Sequence, residues 1–221
     1  MDNTFDIIVI GGGHAGIEAS LVANKMGCTV GLFTMDVNAI GRMSCNPSIG
    51  GTGKGHLVKE IDALGGAMGR LADLTGIQFK MLNKSKGPAV WSPRCQSDKE
   101  KYVNFAKEML LNANGITIIQ EIVSGVLVSE SSNSLYKYEI KGVSTEIGNE
   151  YFSKAVIISS GTFLNAIMHR GKDHTQGGRI GEKSSTELSE SLRNLGFETG
   201  RLKTGTPPRL DIHSIDFSKT E

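Results

Sequence analysis

The feature that most constrains the fold is a glycine turn set directly after an apolar run. Phe5-Asp6-Ile7-Ile8-Val9-Ile10 is followed by "GGGHAG", which places G-x-G-x-x-G at Gly11, Gly13 and Gly16. A short apolar run of this kind reads as a buried parallel strand. The next stretch, "HAGIEASLVANKM", spaces Ala15, Ala19, Val22, Ala23 and Met26 as one face of a helix, and Gly27 ends it. "CTVGLFT" then reads as a second buried strand. A β-α-β order within about 30 residues marks a doubly wound α/β sheet.

The same glycines carry chemistry. Gly11 permits the tight turn, Gly13 lets the backbone approach a pyrophosphate, and Gly16 lets the helix pack on the strand. The helix N-terminus adds free N–H groups and a positive dipole end for the phosphates. The acid that would hold a ribose at the end of the second strand is replaced by Thr34, and the nearest carboxylate is Asp36. Either Asp36 substitutes or the ribose is held another way, which disfavours NAD at this turn and leaves room for FAD. Further along, "AVIISSGTF" runs an apolar strand into Gly161 after a meander of "IIQEIVSGVLV" and "YKYEI". Flavoproteins with two dinucleotide sites interrupt their first nucleotide-binding half in this way.

The remaining elements are coarser. An amphipathic helix is expected from about Lys54, with Leu57, Val58, Ile61 and Leu64 on one side, and residues 70–95 read as irregular and basic. A helix follows over about Gln96 to Leu111, strands run from Ile116 with a turn at "SESSNS", and "SSTELSESLRNLG" is a helix with a Ser N-cap and a Gly stop. No internal repeat is present. The expected architecture is α/β: a Rossmann-like FAD/NAD(P)-binding doubly wound sheet with an inserted β-meander and the start of a second inserted domain. Residues 1–165 would form the first unit, with the meander at about 116–150, and 166–221 the truncated beginning of the second.

Composition excludes several classes. Lys and Arg (24) nearly balance Asp and Glu (23), so no global field draws the chain to nucleic acid or membrane. Cys28, Cys45 and Cys95 form no C-x-x-C pair, no metal-ligating set is evident, and reduced thiols in the cytoplasm are the expectation. The N-terminus lacks a basic n-region and long apolar h-region, and no apolar run reaches the ~20 residues of a membrane span.

"MSCNPSIGGTGKGHLVKEIDALGG", from Met43 to Gly66, imitates a phosphate loop. Aligned on Gly53-Lys54, however, Ser48 stands where the first Walker glycine belongs and Gly55 where the magnesium-binding hydroxyl belongs. No buried strand is expected before it. An anion-binding glycine loop that opens a helix at Lys54 remains. Cys45 has Arg42, Lys54 and His56 close in sequence, surroundings that favour a thiolate, against the alternative of a small buried hydrophobe. Cys28 and Cys95 read as core residues. Two basic clusters are candidates for nucleic acid: residues 80–107, with seven cations against Asp98 and Glu100, and "RLKTGTPPR", with Arg201, Lys203 and Arg209 and no acid. The second is the stronger candidate, and Trp91 is more readily a packing residue than a base-stacking one.

Together "GGGHAGIEA", the Cys45 loop, "GIQFKMLNKSKGPAVW", "SGTFLNA" and "GRLKTGTPPRL" resemble the GidA (MnmG) family, in matching order over nearly the whole chain. The resemblance implies an FAD-dependent enzyme that adds a carboxymethylaminomethyl or aminomethyl group at C5 of the wobble uridine of tRNA. Gly11, Gly12, Gly13, His14, Ala15 and Gly16 would wrap the FAD pyrophosphate, Val123 would lie near the adenine, and Cys45 would act near the flavin. It further implies a homodimer, a GTPase partner (MnmE), NADH as reductant and methylene-tetrahydrofolate as one-carbon donor. The family is much longer than this chain, so these residues alone are expected to be inactive. Neighbouring readings are a folate-dependent tRNA uridine C5-methyltransferase flavoprotein and a non-catalytic flavin- and tRNA-binding module. His14 and the CNPSIGG loop favour the wobble enzyme over the methyltransferase.

Overall fold

The computed structural model describes residues 3–44, 46–205 and 210–220. Strand β1 (Thr4–Ile10) leads through the glycine turn into α1 (His14–Lys25) and β2 (Val30–Phe33). A side layer follows: β3 (Ser48–Gly50), α2 (Lys54–Ala63), α3 (Met68–Thr75), β4 (Gly76–Leu82) and β5 (Ser92–Ser97). Then come α4 (Lys99–Leu111), β6 (Ile116–Ile119), the meander β7 (Val123–Glu130), β8 (Tyr138–Thr145) and β9 (Glu150–Ile158), a hairpin of β10 (Ile167–Arg170) and β11 (Asp173–Gln176), and α5 (Thr186–Asn194).

The main sheet has the order β6-β2-β1-β9-β8-β7. Strands β6, β2, β1 and β9 are parallel, whereas β8 and β7 run antiparallel as the tail of the meander. A parallel sheet has to be covered on both faces, and β1 shows how the sequence meets that demand. Val9 packs with Ile17, Ala23, Tyr102, Ala106 and Leu110 from α1 and α4. Ile8 and Ile10 face the other way, with Val123, Val143 and Tyr151 of the meander and Leu188 of α5. The uninterrupted apolar run of β1 is thus the mark of a strand buried twice. The doubly wound architecture expected from the sequence is the one observed.

Two stretches depart from expectation. Residues 70–95 are not irregular: α3, β4 and β5 occupy most of them, and β3-β5-β4 form a separate antiparallel sheet. The apolar signal there is weak because β4 is an edge strand that leaves Ile77 and Phe79 largely exposed. Helix α2 starts at Lys54 as expected, but its apolar side is only half covered: Val58 packs against the core, whereas Leu57 and Leu64 are exposed. The glycine loop before α2 does follow a strand, but β3 is three residues long and antiparallel. It therefore lacks the parallel strand of a phosphate loop, in keeping with the missing residues.

Helix ends correct two further details. Asp98 accepts from the N–H groups of Glu100 and Lys101, which starts α4 at Lys99 rather than near Gln96. Ser185 precedes α5, yet its hydroxyl donates to the Val123 carbonyl and caps nothing. Cys28 packs against the core, and the buried Cys95 thiol donates to the Ala72 carbonyl at 3.3 Å, as expected of structural thiols. Among the described residues no helix is long and apolar enough to cross a membrane.

The N-terminus of α3 is capped from a distance. Ala67, its own N-cap, offers no side-chain oxygen; the Glu18 carboxylate of α1 accepts from the N–H groups of Ala67 (3.0 Å) and Met68 (2.6 Å). Glu18→Ala is therefore expected to cost about 1–2 kcal/mol, the usual scale for losing a cap with a charged acceptor. Urea denaturation of the full protein checks it, with Glu18→Gln retaining part of the loss.

Candidate dinucleotide site

The site is assembled where β1 and β9 end side by side. Gly11 has φ +109°, which only glycine adopts comfortably, and its N–H donates to the Phe33 carbonyl at 2.8 Å. The Ser159 hydroxyl at the end of β9 donates to the carbonyls of Ile10 (2.8 Å) and Gly11 (3.1 Å). A Cβ on Gly11 would overlap the Ser159 carbonyl, and one on Gly16 would overlap the Gly11 carbonyl. Gly12 is nearly as confined, by Ile40 and Thr34. Gly13 differs: a Cβ there would meet nothing within 4 Å. Of the fingerprint glycines, Gly11 and Gly16 are needed for packing, and Gly13 keeps space open at the start of α1.

That opening is polar and uncapped. The first N–H groups of an α-helix, here those of His14, Ala15 and Gly16, have no intrahelical acceptor, Gly13 supplies no side-chain cap, and the first turn holds no acid. His14 packs edge-to-face on Tyr102 with ring centroids 5.4 Å apart. Its Nδ1 is buried and has no partner. Burial first, and the charge of Arg179 second, push its pKa below the ordinary 6.5, so the ring is neutral at pH 7. An orphaned ring nitrogen beside free N–H groups and open space fits a phosphate-bearing ligand.

An ion-pair strap closes one side. Arg42 binds Glu182 at 2.6 Å and Asp36 at 3.5 Å, and Arg179 reaches the same Glu182 at 3.6 Å while covering the Phe163 ring. Nothing in the sequence announced this strap or the Ser159 clasp, since 140 residues separate Arg42 from Glu182. The carboxylate at Asp36 is already engaged, by Arg42 and by the N–H of Asn38. Thr34, buried against Gly12, donates its hydroxyl to the Asp36 carbonyl.

Of the other candidate residues, Val123 joins the cluster that holds Ile10 and Phe33 at the carboxyl ends of β1 and β2. The whole residue is 3% exposed, and its carbonyl accepts from the Ser185 hydroxyl. Gly161 sits in a left-handed turn (φ +57°) two residues past Ser159, with open space where a side chain would be. Arg201 spends its guanidinium on the Asn165 carbonyl, at 3.2 Å, and Lys203 is exposed. Cys45 and Arg209 lie outside the described residues. Among the described residues no group of three or more metal-ligating side chains converges.

A parallel sheet with a glycine clasp, a meander that ends in β9 and an open start to α1 define a Rossmann-like fold of the FAD-binding kind. A model of the family described as "Glucose inhibited division protein A" matches residues 6–221. The chain belongs to that family. It is 51% identical over 220 residues, all of this chain, to the tRNA uridine 5-carboxymethylaminomethyl modification enzyme MnmG of Thermodesulfovibrio yellowstonii. Identity to the Helicobacter hepaticus protein of the same name is 53% over 97% of the chain. The chain spans about a third of the length of these curated relatives (34%). The crystal structure of Aquifex aeolicus GidA in form II superposes with a TM-score of 0.89 at 49% identity, over 98% of this chain and 35% of that one. A GidA-related protein from Thermus thermophilus shares the fold, with a TM-score of 0.58 at 20% identity, over 88% of this chain and 69% of that one.

Gly16→Ala should lower thermal stability sharply, whereas Gly13→Ala should leave the melting temperature nearly unchanged and still abolish dinucleotide retention; calorimetry and the absorbance of the purified full protein separate the two. For His14 the folded pKa lies below the unfolded 6.5, so the unfolded chain binds the proton first. Stability is full above pH 6.5 and falls as pH drops below it. His14→Phe should flatten that slope in urea titrations at pH 7 and pH 5.5.

Proposed function

We propose that this chain carries the FAD pyrophosphate site of a tRNA-modifying flavoenzyme, which adds a carboxymethylaminomethyl or aminomethyl group at C5 of wobble uridine together with a GTPase partner of the MnmE kind. The observation that carries the reading is the open, uncapped start of α1 at Gly13, in a chain whose relatives bear that activity in their names.

The first N–H groups of α1 would hold the pyrophosphate, Gly13 giving them access and the neutral His14 ring offering its Nδ1 beside them. Val123 would lie near the adenine. The flavin, when bound, supplies two-electron redox chemistry. C5 of uracil is a weak nucleophile, and addition of a thiolate at C6 raises electron density there. Cys45 is the candidate thiol, for that addition or for redox exchange at the flavin. NADH as reductant, methylene-tetrahydrofolate as one-carbon donor, a homodimer and a cytoplasmic setting complete the proposal. So does a division into residues 1–165 and 166–221. The fragment alone would be inactive.

The test is nucleoside mass spectrometry of bulk tRNA from a strain lacking the whole gene, complemented with wild type or Cys45→Ser. The wobble carboxymethylaminomethyl group should disappear on deletion and return with wild type only. Its return with Cys45→Ser would make the cysteine structural. An unchanged wobble profile with T-loop methylation lost would replace this reading with the methyltransferase one.

A further inference from the structure

The balanced charge of the chain conceals a polar division. Residues 43–59 and 76–97, which include β3, β4, β5 and the start of α2, contain six Lys and Arg and not one Asp or Glu. The tertiary fold draws these cations together. In the side sheet Lys80 stands directly across from Arg94, and Gly50 occupies the third position of that row. Like charges opposed on a ladder repel. Among the described residues neither cation, nor Lys54, Lys84 or Lys86, has a carboxylate within ion-pair distance.

The loop joining β4 to β5 is built rather than slack. Asn83, in a left-handed conformation (φ 60°), donates from its amide to the Thr52 hydroxyl at 3.2 Å and the Val90 carbonyl at 3.3 Å. The Trp91 indole donates to the Lys84 carbonyl at 3.2 Å. These bonds dock the loop on the residue two before Lys54 and tie the backbone of Lys84 to an indole that remains 43% exposed, with Lys86 in the same loop. A fixed aromatic ring flanked by unpaired cations is the arrangement that grips single-stranded nucleic acid, the ring for a base and the cations for phosphates.

We infer that the side sheet and the loop joining β4 to β5, through Lys80, Lys84, Lys86, Arg94 and Trp91, bind the phosphate backbone and one base of the substrate RNA. This rests on the tRNA reading above. It concerns the first of the two basic clusters read from the sequence and leaves Arg201, Lys203 and Arg209 as a separate candidate. Charge complementarity selects the occupant: an acid-free cationic face on a chain of net charge +1 calls for a polyanion.

The experiment measures binding of a fluorescent tRNA to the full-length protein by anisotropy across a salt series, with flavin content and melting temperature as controls. Replacing Lys80, Lys84 and Lys86 together by Ala should weaken binding and reduce the slope of log K against log salt by about 2, near 0.7 per phosphate contact on a single strand. Trp91→Ala should weaken it roughly tenfold with the slope unchanged, and Trp91→Phe should recover most of that loss. Flavin content should match wild type throughout, and so should the melting temperature of the lysine variant; Trp91→Ala and Trp91→Phe both lose the bond to Lys84, so a difference in binding between them reports the ring itself. If wild type binds tRNA and the lysine variants bind with the same affinity and slope, this surface is wrong while the tRNA reading stands. If wild type itself binds no tRNA, both fall. Weakened retention of a folate polyglutamate with tRNA binding unaltered would assign the face to a small anion and overturn the proposal.

Discussion

The structure hangs on the contact between Gly11, Gly16 and Ser159. Two parallel strands far apart in sequence end against each other there, with the Ser159 hydroxyl bonded to two carbonyls of the glycine turn and no room for a Cβ on either glycine. Because the turn is pinned, α1 leaves β1 at one angle, so its apolar face meets α4 and its uncapped end opens beside the carboxyl ends of the strands. That is where open α/β sheets bind ligands, since helix N-termini and strand ends converge there. Packing and binding thus share one constraint but use different glycines.

Charge is handled in two opposite ways on the same chain. Beside the glycine turn, Arg42 and Arg179 share Glu182, which ties residues 179–182 to the loop after β2 and keeps both cations neutralised at partly buried positions. An unpaired charge there would be costly. On the side sheet the cations are left without acids at the surface, where water makes this cheap. The first arrangement stabilises a fold; the second leaves attraction available to a polyanion.

The central layer was legible in the sequence because its signals are local. The apolar run of β1, the helical spacing after it and the glycine fingerprint each depend on neighbours along the chain, and each falls within a residue or two of the observed element. In the side layer only α2 was legible, as the helix expected from Lys54; β4 was not, because it presents Ile77 and Phe79 to the surface. Hydrophobic periodicity reports burial against one's own core, so it fails for an edge strand. The hairpin of β10 and β11 escaped for the same reason: β11 is exposed along its whole length.

The sequence by itself determined the doubly wound sheet, the place of its glycine turn and the family, since each follows from residue type at fixed spacing. Only the tertiary structure decided which glycine keeps space for a ligand, that Glu18 caps a helix about 50 residues away, and that Arg42 pairs with Glu182. It also decided that Lys80 faces Arg94 without an intervening acid. These are contacts between residues with no local relation, whose energies depend on distance and burial in three dimensions. Spacing along a chain carries no record of either.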